Sequence, residues 1–265
     1  MKKITLLILL ITSTLFSKEI STYFYADIQT QNEIKINLSK VGFNIIGSYD
    51  AMQDKNYKVI IYTSNILKKL ANKQDRQFAA IGKILINKKD NILVFTNPKY
   101  FLTAFLQDDL NKALVSQVQN RLKAAFTLKP STYSIDEDDL KSYHFMISMP
   151  YYEDMLDIAS GDNLNQKLLK NHKDKIVFSL KLNNSTLYGI KMDTKGGEKD
   201  YISTLNQQKH SVLLPYLVIV NKHQAKILHP KYYLALSLPK LTMGEFMTIM
   251  DTPNDIENYF KSLFK

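Results

Sequence analysis

Hydrophobic and polar positions alternate along this chain in short blocks that predict strands and helices in mixed order. In the first half, runs rich in β-branched and aromatic residues predict strands, at 23–28, 41–48, 57–62, 82–87 and 92–96. Apolar residues at helical spacing predict helices at 33–40 and 65–72, and Gly42 ends the first of these as a C-cap residue. The pattern therefore predicts an α+β fold.

The second half repeats this order of elements. Strand, polar turn, strand and a Pro-Lys-Tyr corner occur at 82–102 and again at 216–234. Further strands are predicted at 145–149, 176–182 and 187–192, with helices at 163–171 and 201–206. We interpret the chain as a tandem duplication of a β-α-β-β-α-β-β-α unit, in which helices cover one face of each sheet.

The boundaries follow from breaks in this pattern. The first copy spans 18–128 and ends in an amphipathic helix predicted at 108–126. An acidic linker at 129–142 precedes the second copy at 143–265. Residues 150–161 have no counterpart in the first copy, and they predict an inserted helix because Pro150 opens the segment, acids follow and Gly161 closes it.

The amino-terminal segment predicts export. Lys2 and Lys3 precede an apolar run at 4–11 and a stretch that ends in small residues, which is typical of a secretory signal peptide cleaved after Ser17. The apolar run is too short for a permanent transmembrane helix. We expect a periplasmic or secreted protein without a transmembrane segment.

Composition narrows the function classes further. The chain has 265 residues, of which 45% are hydrophobic and 23% charged, so a disordered chain is excluded. It has no Cys, which excludes disulfides, thiolate metal sites and a Cys nucleophile. The 35 Lys and Arg outnumber the 25 Asp and Glu, but only Arg76 and Arg121 are Arg. Dispersed lysines favour a solvated surface and weak attraction to anionic envelope surfaces, and they argue against nucleic-acid binding.

Several short strings resemble one family. They are Val41-Gly42-Phe43, Phe78-Ala79-Ala80, Asn97-Pro98-Lys99-Tyr100, Leu214-Pro215-Tyr216 and the segment 241–247. Together they resemble the family called domain of unknown function 302, in two tandem copies over most of the mature chain. The resemblance implies an α+β fold. Because the family has no established activity, it implies no functional residues.

The sequence contains no Gly-rich phosphate loop, His-Glu-x-x-His helix or Gly-x-Ser-x-Gly elbow. It therefore predicts no catalytic residue, metal ligand set or cofactor, and a non-enzyme is favoured. Met243, Met247 and Met250 lie at helical spacing, which is typical of flexible core packing.

The segment that breaks the repeat is the place where we expect function. The candidate ligand-binding residues are His144, Tyr151, Tyr152, Glu153, Asp154, Asp157 and His229. On the predicted inserted helix, Glu153 and Asp157 share a face. We expect a binding or accessory protein that engages a periplasmic protein or a small ligand in the groove between the copies.

Two alternatives use the same residues. A metal-assisted hydrolase would use Glu153, Asp154, Asp157 and His144. A copper carrier would use His144 and Met146, because imidazole and thioether suit cuprous ion and the two side chains share a face of the predicted strand.

Overall fold

The computed structural model describes residues 18–265, and the predicted signal peptide at 1–17 lies outside the described residues. The strands are β1 (Glu19–Ser21), β2 (Tyr23–Asp27), β3 (Asn44–Asp50), β4 (Tyr57–Thr63), β5 (Gly82–Asn87), β6 (Ile92–Thr96), β7 (Lys129–Pro130), β8 (Ser134–Asp136), β9 (Leu156–Ser160), β10 (Ile176–Lys181), β11 (Ser185–Ile190), β12 (Tyr216–Asn221) and β13 (Gln224–Ile227). The α-helices are α1 (Gln31–Lys40), α2 (Asn65–Leu70), α3 (Pro98–Leu106), α4 (Lys112–Ala125), α5 (Leu164–Asn171), α6 (Glu198–Thr204), α7 (Pro230–Ser237), α8 (Met243–Thr248) and α9 (Thr252–Ser262).

Two antiparallel sheets organise these elements, which confirms the α+β class. The six-stranded sheet has the order β3-β4-β5-β6-β2-β7, and the five-stranded sheet has the order β10-β11-β12-β13-β9. Five strands therefore follow the same order in both sheets, since β3-β4-β5-β6-β2 of the first sheet corresponds to β10-β11-β12-β13-β9 of the second. We call residues 23–125 the first unit and residues 156–262 the second unit.

Local sequence explains where the elements of the first unit begin and end. Thr30 and Glu33 form a capping box at the start of α1, and Gly42, with a φ of +79°, follows its end. Ile34 and Leu38 point from α1 into the core. All six residues of β5 are buried, because this central strand is covered on both sides, and it therefore lacks the alternation of a half-exposed strand.

The predicted strand at 145–149 and the predicted helix at 150–161 are wrong. Residues 143–155 form turns and irregular structure, and the first strand of the second unit is β9. In β9, Leu156 pairs with Ile227 and Ala159 pairs with Ala225 of β13. The acidic residues after Pro150 satisfy the local rules for a helix start, but the backbone partner supplied by β13 outweighs them.

The predicted linker at 129–142 is attached to the first unit. Its strand β7 pairs with β2, its strand β8 pairs with β1, and Leu140 is fully buried. The helix predicted at 108–126 begins only at Lys112, because the Asn111 side chain accepts a hydrogen bond from the Leu114 amide and caps it there.

The three methionines near the carboxyl end are not core residues, contrary to the prediction. Met243, Met247 and Met250 have exposed fractions of 40%, 54% and 59%. The reason is that α8 is a short helix whose buried residue is Phe246, so Met243 and Met247 on its other faces lie in solvent, and Met250 lies in the exposed turn that follows.

The two units pack directly against each other. The edge strands β3 and β10 approach so closely that a Cβ on Gly47 would lie 2.7 Å from the backbone oxygen of Val177. Elsewhere in the interface, the Tyr100 hydroxyl donates to the Leu236 oxygen at 2.8 Å, and the Tyr23 hydroxyl donates to the Ser237 oxygen at 2.6 Å. Within residues 18–265, no helix has the length and apolar character needed to cross a membrane.

Candidate functional site

Two clefts open between the units, and corresponding elements line them. The first, which we call the amide cleft, has a volume of about 350 Å³ and is lined by side chains from residues 71–77, 182–185 and 219–226. These segments follow α2, join β10 to β11 and surround the turn between β12 and β13. The second, which we call the basic cleft, has a volume of about 380 Å³. It is lined by α6 and the segment that follows it, the β3–β4 connection and the β5–β6 turn.

The two linings differ mainly in their uncharged polar side chains, because each contains two lysines and one aspartate. The basic cleft contains Lys89, Lys199 and Asp54, and its uncharged polar side chains are Ser203, Asn206 and Gln208. The amide cleft contains seven uncharged polar side chains that make no hydrogen bond to other described residues: Asn72, Gln74 and Gln77 from the first unit, and Asn183, Asn184, Ser185 and Gln224 from the second. Amide side chains both donate and accept hydrogen bonds, so this lining can satisfy a ligand that also does both.

Two of these side chains are buried without a partner. Gln77 is 9% exposed and Ser185 is 8% exposed, and both line the amide cleft. The Oε1 atom of Gln77 and the Oγ atom of Ser185 have no hydrogen-bond partner among the described residues. A buried polar atom without a hydrogen-bond partner costs about 1–3 kcal/mol. Each of these two side chains therefore lowers the free energy of unfolding of the protein.

The ionic groups of the amide cleft are paired or at its rim. Lys226 lies 3.3 Å from the Asp75 carboxylate, and His223 lies 3.0 Å from the Asp162 carboxylate. Lys222 is exposed and stays hydrated. The interior of the cleft is therefore polar but contributes little net charge to a ligand.

An adjoining space, which we call the acidic pocket, contains part of the predicted site. Its volume is about 410 Å³, and it shares Gln74, Asp75 and Lys226 with the amide cleft. The predicted residues Tyr152, Glu153 and Asp157 line it.

Tyr152 connects this pocket to the first unit. The Arg76 guanidinium lies over the Tyr152 ring, with the guanidinium carbon 5.0 Å from the ring centroid. The Tyr152 hydroxyl donates a hydrogen bond to the backbone oxygen of Asp75. Burial raises the pKa of the Tyr152 hydroxyl, so it remains a hydrogen-bond donor at neutral pH. Asp75 has a φ of +60°, which few non-glycine residues adopt, and this bond helps to hold it there.

The other four predicted residues line neither the two clefts nor the acidic pocket; they are His144, Tyr151, Asp154 and His229. The His144 ring packs on Tyr151 with centroids 4.4 Å apart, and Asp154 accepts a hydrogen bond from the Tyr151 amide at 2.9 Å. His229 caps α7 by accepting from the Lys231 amide at 3.2 Å, and burial lowers the pKa of its imidazole. These side chains have local structural partners.

The geometry does not favour the two metal-based alternatives. In the part of the chain from residue 18 onward, no group of three or more His, Asp or Glu side chains is arranged to hold a metal ion. Glu153 and Asp157 line the acidic pocket, but His144 does not. The strand that was expected to put His144 and Met146 on one face is absent.

A buried polar network fixes the two units beside these clefts. Glu198 accepts hydrogen bonds from the Tyr49 hydroxyl at 2.9 Å and from the Met52 amide at 3.2 Å, and burial raises the pKa of its carboxyl to about 7. Lys83 donates to the Pro215 oxygen at 2.9 Å and to the Tyr233 hydroxyl at 3.1 Å, and burial lowers the pKa of its amine to about 7. Each of these two side chains therefore hydrogen-bonds to the other unit.

Sequence reasoning missed the amide lining. Its residues belong to polar turns at 71–77, 182–185 and 221–224, which are recognisable as loops but are far apart in the chain. Only the packing of the two units brings them together.

Comparisons with protein-family models, curated proteins and solved structures found no match to this chain.

Proposed function

We propose that this protein is an exported, non-enzymatic binding protein that holds a small polar ligand in the amide cleft between its two units. The observation that carries this proposal is the lining of that cleft. Both units contribute uncharged polar side chains to it, and these side chains have no partners among residues 18–265. Concave sites with a few convergent polar groups are the usual form of small-molecule sites.

The signal-peptide pattern at residues 1–17 supports export to the periplasm or the medium. The resemblance to the domain of unknown function 302 stays a prediction. The shared order of five strands in the two sheets and the match between 97–102 and 229–234 support a tandem duplication of one β-α-β-β-α-β-β-α unit. A duplication would create an interface whose two clefts could diverge in chemistry.

NMR titration of the isotope-labelled protein from residue 18 onward tests the proposal. The panel consists of neutral saccharides, amino acids, short peptides and nucleosides at millimolar concentration. At least one compound is expected to shift amide resonances of residues 71–77, 182–185 and 219–226. The Asn184→Trp variant, which fills the amide cleft, is expected to abolish these shifts.

The matched control is Ser203→Trp, because Ser203 is exposed and lines the basic cleft. This variant is expected to bind as the wild type does. The proposal fails if no compound shifts the resonances of the amide cleft. It also fails if binding survives Asn184→Trp and is lost in Ser203→Trp, since the ligand would then occupy the basic cleft.

A further inference from the structure

We infer that the amide cleft is a saccharide site, in which Gln77 and Ser185 bind hydroxyl groups of a neutral sugar. This inference rests on the proposed function, because it names the chemical class of the ligand in the same cleft. It depends on an observation separate from the number of polar side chains. Gln77 and Ser185 are at least nine-tenths buried, line the cleft and have side-chain oxygens without hydrogen-bond partners.

The hydrogen-bonding needs of these two groups define the ligand. The Gln77 carbonyl oxygen can only accept, whereas the Ser185 hydroxyl can both donate and accept. A sugar ring presents adjacent hydroxyls, each of which can donate one hydrogen bond and accept others. Both oxygens are buried from solvent, so a side-chain torsion must change for either to reach the cleft, where a hydroxyl would supply the interaction that the buried atom lacks.

The positions of the two side chains suit a ligand that bridges the units. Ser185 begins β11, opposite Asn221 at the end of β12, so it lies at the end of the second sheet. Gln77 begins a short 3-10 turn (Gln77–Ala80) of the first unit. A ligand that contacts both residues must therefore span the cleft from one unit to the other.

The remaining lining fits a sugar better than a charged ligand. Leu182 and Ile219 are buried and line the cleft, and they offer an apolar surface for the C–H face of a sugar ring. The cation of Lys226 is paired with Asp75, and Lys222 is exposed at the rim, so the interior of the cleft offers no unpaired charge to a carboxylate or phosphate. The exposed amides of Asn183 and Asn184 can exchange hydrogen bonds with hydroxyls at the rim.

The basic cleft shows that this number of amides is not a requirement of the fold. Corresponding elements form both clefts, but the basic cleft has three uncharged polar side chains in its lining, Ser203, Asn206 and Gln208. Among residues 18–265, two buried side-chain oxygens without a partner line the amide cleft and none lines the basic cleft. A ligand in the amide cleft would offset the cost in stability of these two oxygens.

A neutral glycan array followed by NMR titration of each bound glycan tests the inference, with triglycine and glutamate as non-sugar probes. The test variants are Ser185→Ala and Gln77→Leu. Both are expected to keep or raise the melting temperature, because each removes an unpaired buried oxygen. Both are also expected to weaken sugar binding at least tenfold. Ser211→Ala is the matched control, since the buried Ser211 hydroxyl is also unpartnered but does not line the cleft.

The outcomes separate the two proposals. A glycan that shifts the amide-cleft resonances, weakens in both test variants and binds normally to Ser211→Ala supports the saccharide site. If triglycine or glutamate binds in the cleft and no glycan does, the saccharide assignment is wrong while the binding function stands. If no probe binds in the cleft, both are wrong. Sugar binding that is unchanged in both test variants also overturns the assignment.

Discussion

The hydroxyl of Tyr49 in the first unit lies 2.9 Å from Oε1 of Glu198 in the second, inside the interface between the two units. The second carboxylate oxygen of Glu198 accepts from the Met52 amide at 3.2 Å, so one acidic side chain binds two neighbouring parts of the first unit. Because Glu198 is almost fully buried, its protonation state is coupled to the association of the units.

This coupling predicts a pH dependence. Burial raises the pKa of Glu198 from 4.5 to about 7, so the unfolded chain releases this proton at lower pH than the folded protein does. As pH rises from about 4.5 to about 7, the contribution of Glu198 to the free energy of unfolding falls, by about 3 kcal/mol at the linkage value of 1.36 kcal/mol per pKa unit. Glu198→Gln should lack this fall. Urea unfolding at several pH values measures it, and parallel curves for the two proteins would contradict it.

Lys83 predicts the opposite slope at higher pH. Burial lowers the pKa of its amine from 10.5 to about 7, so above pH 7 the unfolded chain holds a proton that the folded protein releases. Stability should therefore rise with pH between about 7 and 10.5, and Lys83→Met should lack this rise. The same unfolding series measures the effect. Lys89→Met, at a mostly exposed lysine, serves as control, and an equal loss of slope in it would refute the assignment.

Tyr152 is predicted to stabilise the loop at 72–77. Tyr152→Phe removes its hydrogen bond to the Asp75 oxygen and should lower the free energy of unfolding by about 1 kcal/mol. Hydrogen exchange at 72–77 should become faster. Tyr151→Phe is the control, because Tyr151 is 42% exposed and its hydroxyl makes no hydrogen bond to the described residues. Equal effects of the two substitutions would argue against a specific role for the bond.

Gly47 is predicted to be essential for the contact between β3 and β10. A Cβ at this position would lie 2.7 Å from the Val177 oxygen and 2.8 Å from the Phe178 Cβ, so Gly47→Ala must push the edge strands apart. Overpacking of this kind costs about 1–3 kcal/mol, which thermal unfolding detects. In Gly244→Ala the nearest atom to the new methyl group would be 4.0 Å away, so this helix variant should be as stable as the wild type or more so. A stable Gly47→Ala protein would contradict the interface.

The exposed methionines are predicted to oxidise first. Brief peroxide treatment should convert Met243, Met247 and Met250 to sulfoxides before Met52 and Met192, whose exposed fractions are 4% and 2%. Peptide mass spectrometry measures the order. Early oxidation of Met192 would show that the second unit opens more readily than its packing implies.

Much of the fold could be predicted because its signals are local. Thr30, Glu33 and Gly42 mark the ends of α1, and β4, β5 and β12 are recognisable as apolar runs. The segment at 145–161 could not be predicted, because its helix-start residues are local whereas the partner of β9 is a distant strand. For the candidate site, the sequence identified Tyr152, Glu153 and Asp157, which line the acidic pocket, and it missed Gln77 and Ser185.

By itself, the sequence determined the α+β class, the order of most elements and the absence of cysteine chemistry, since these depend on periodicity, turn residues and composition. Only the tertiary structure decided which residues share a cleft. Gln77 and Ser185 are more than a hundred positions apart, and each directly follows an ordinary polar turn. Their proximity depends on the close contact of β3 with β10 and on the buried hydrogen bonds of Glu198 and Lys83 across the interface, which no local pattern contains.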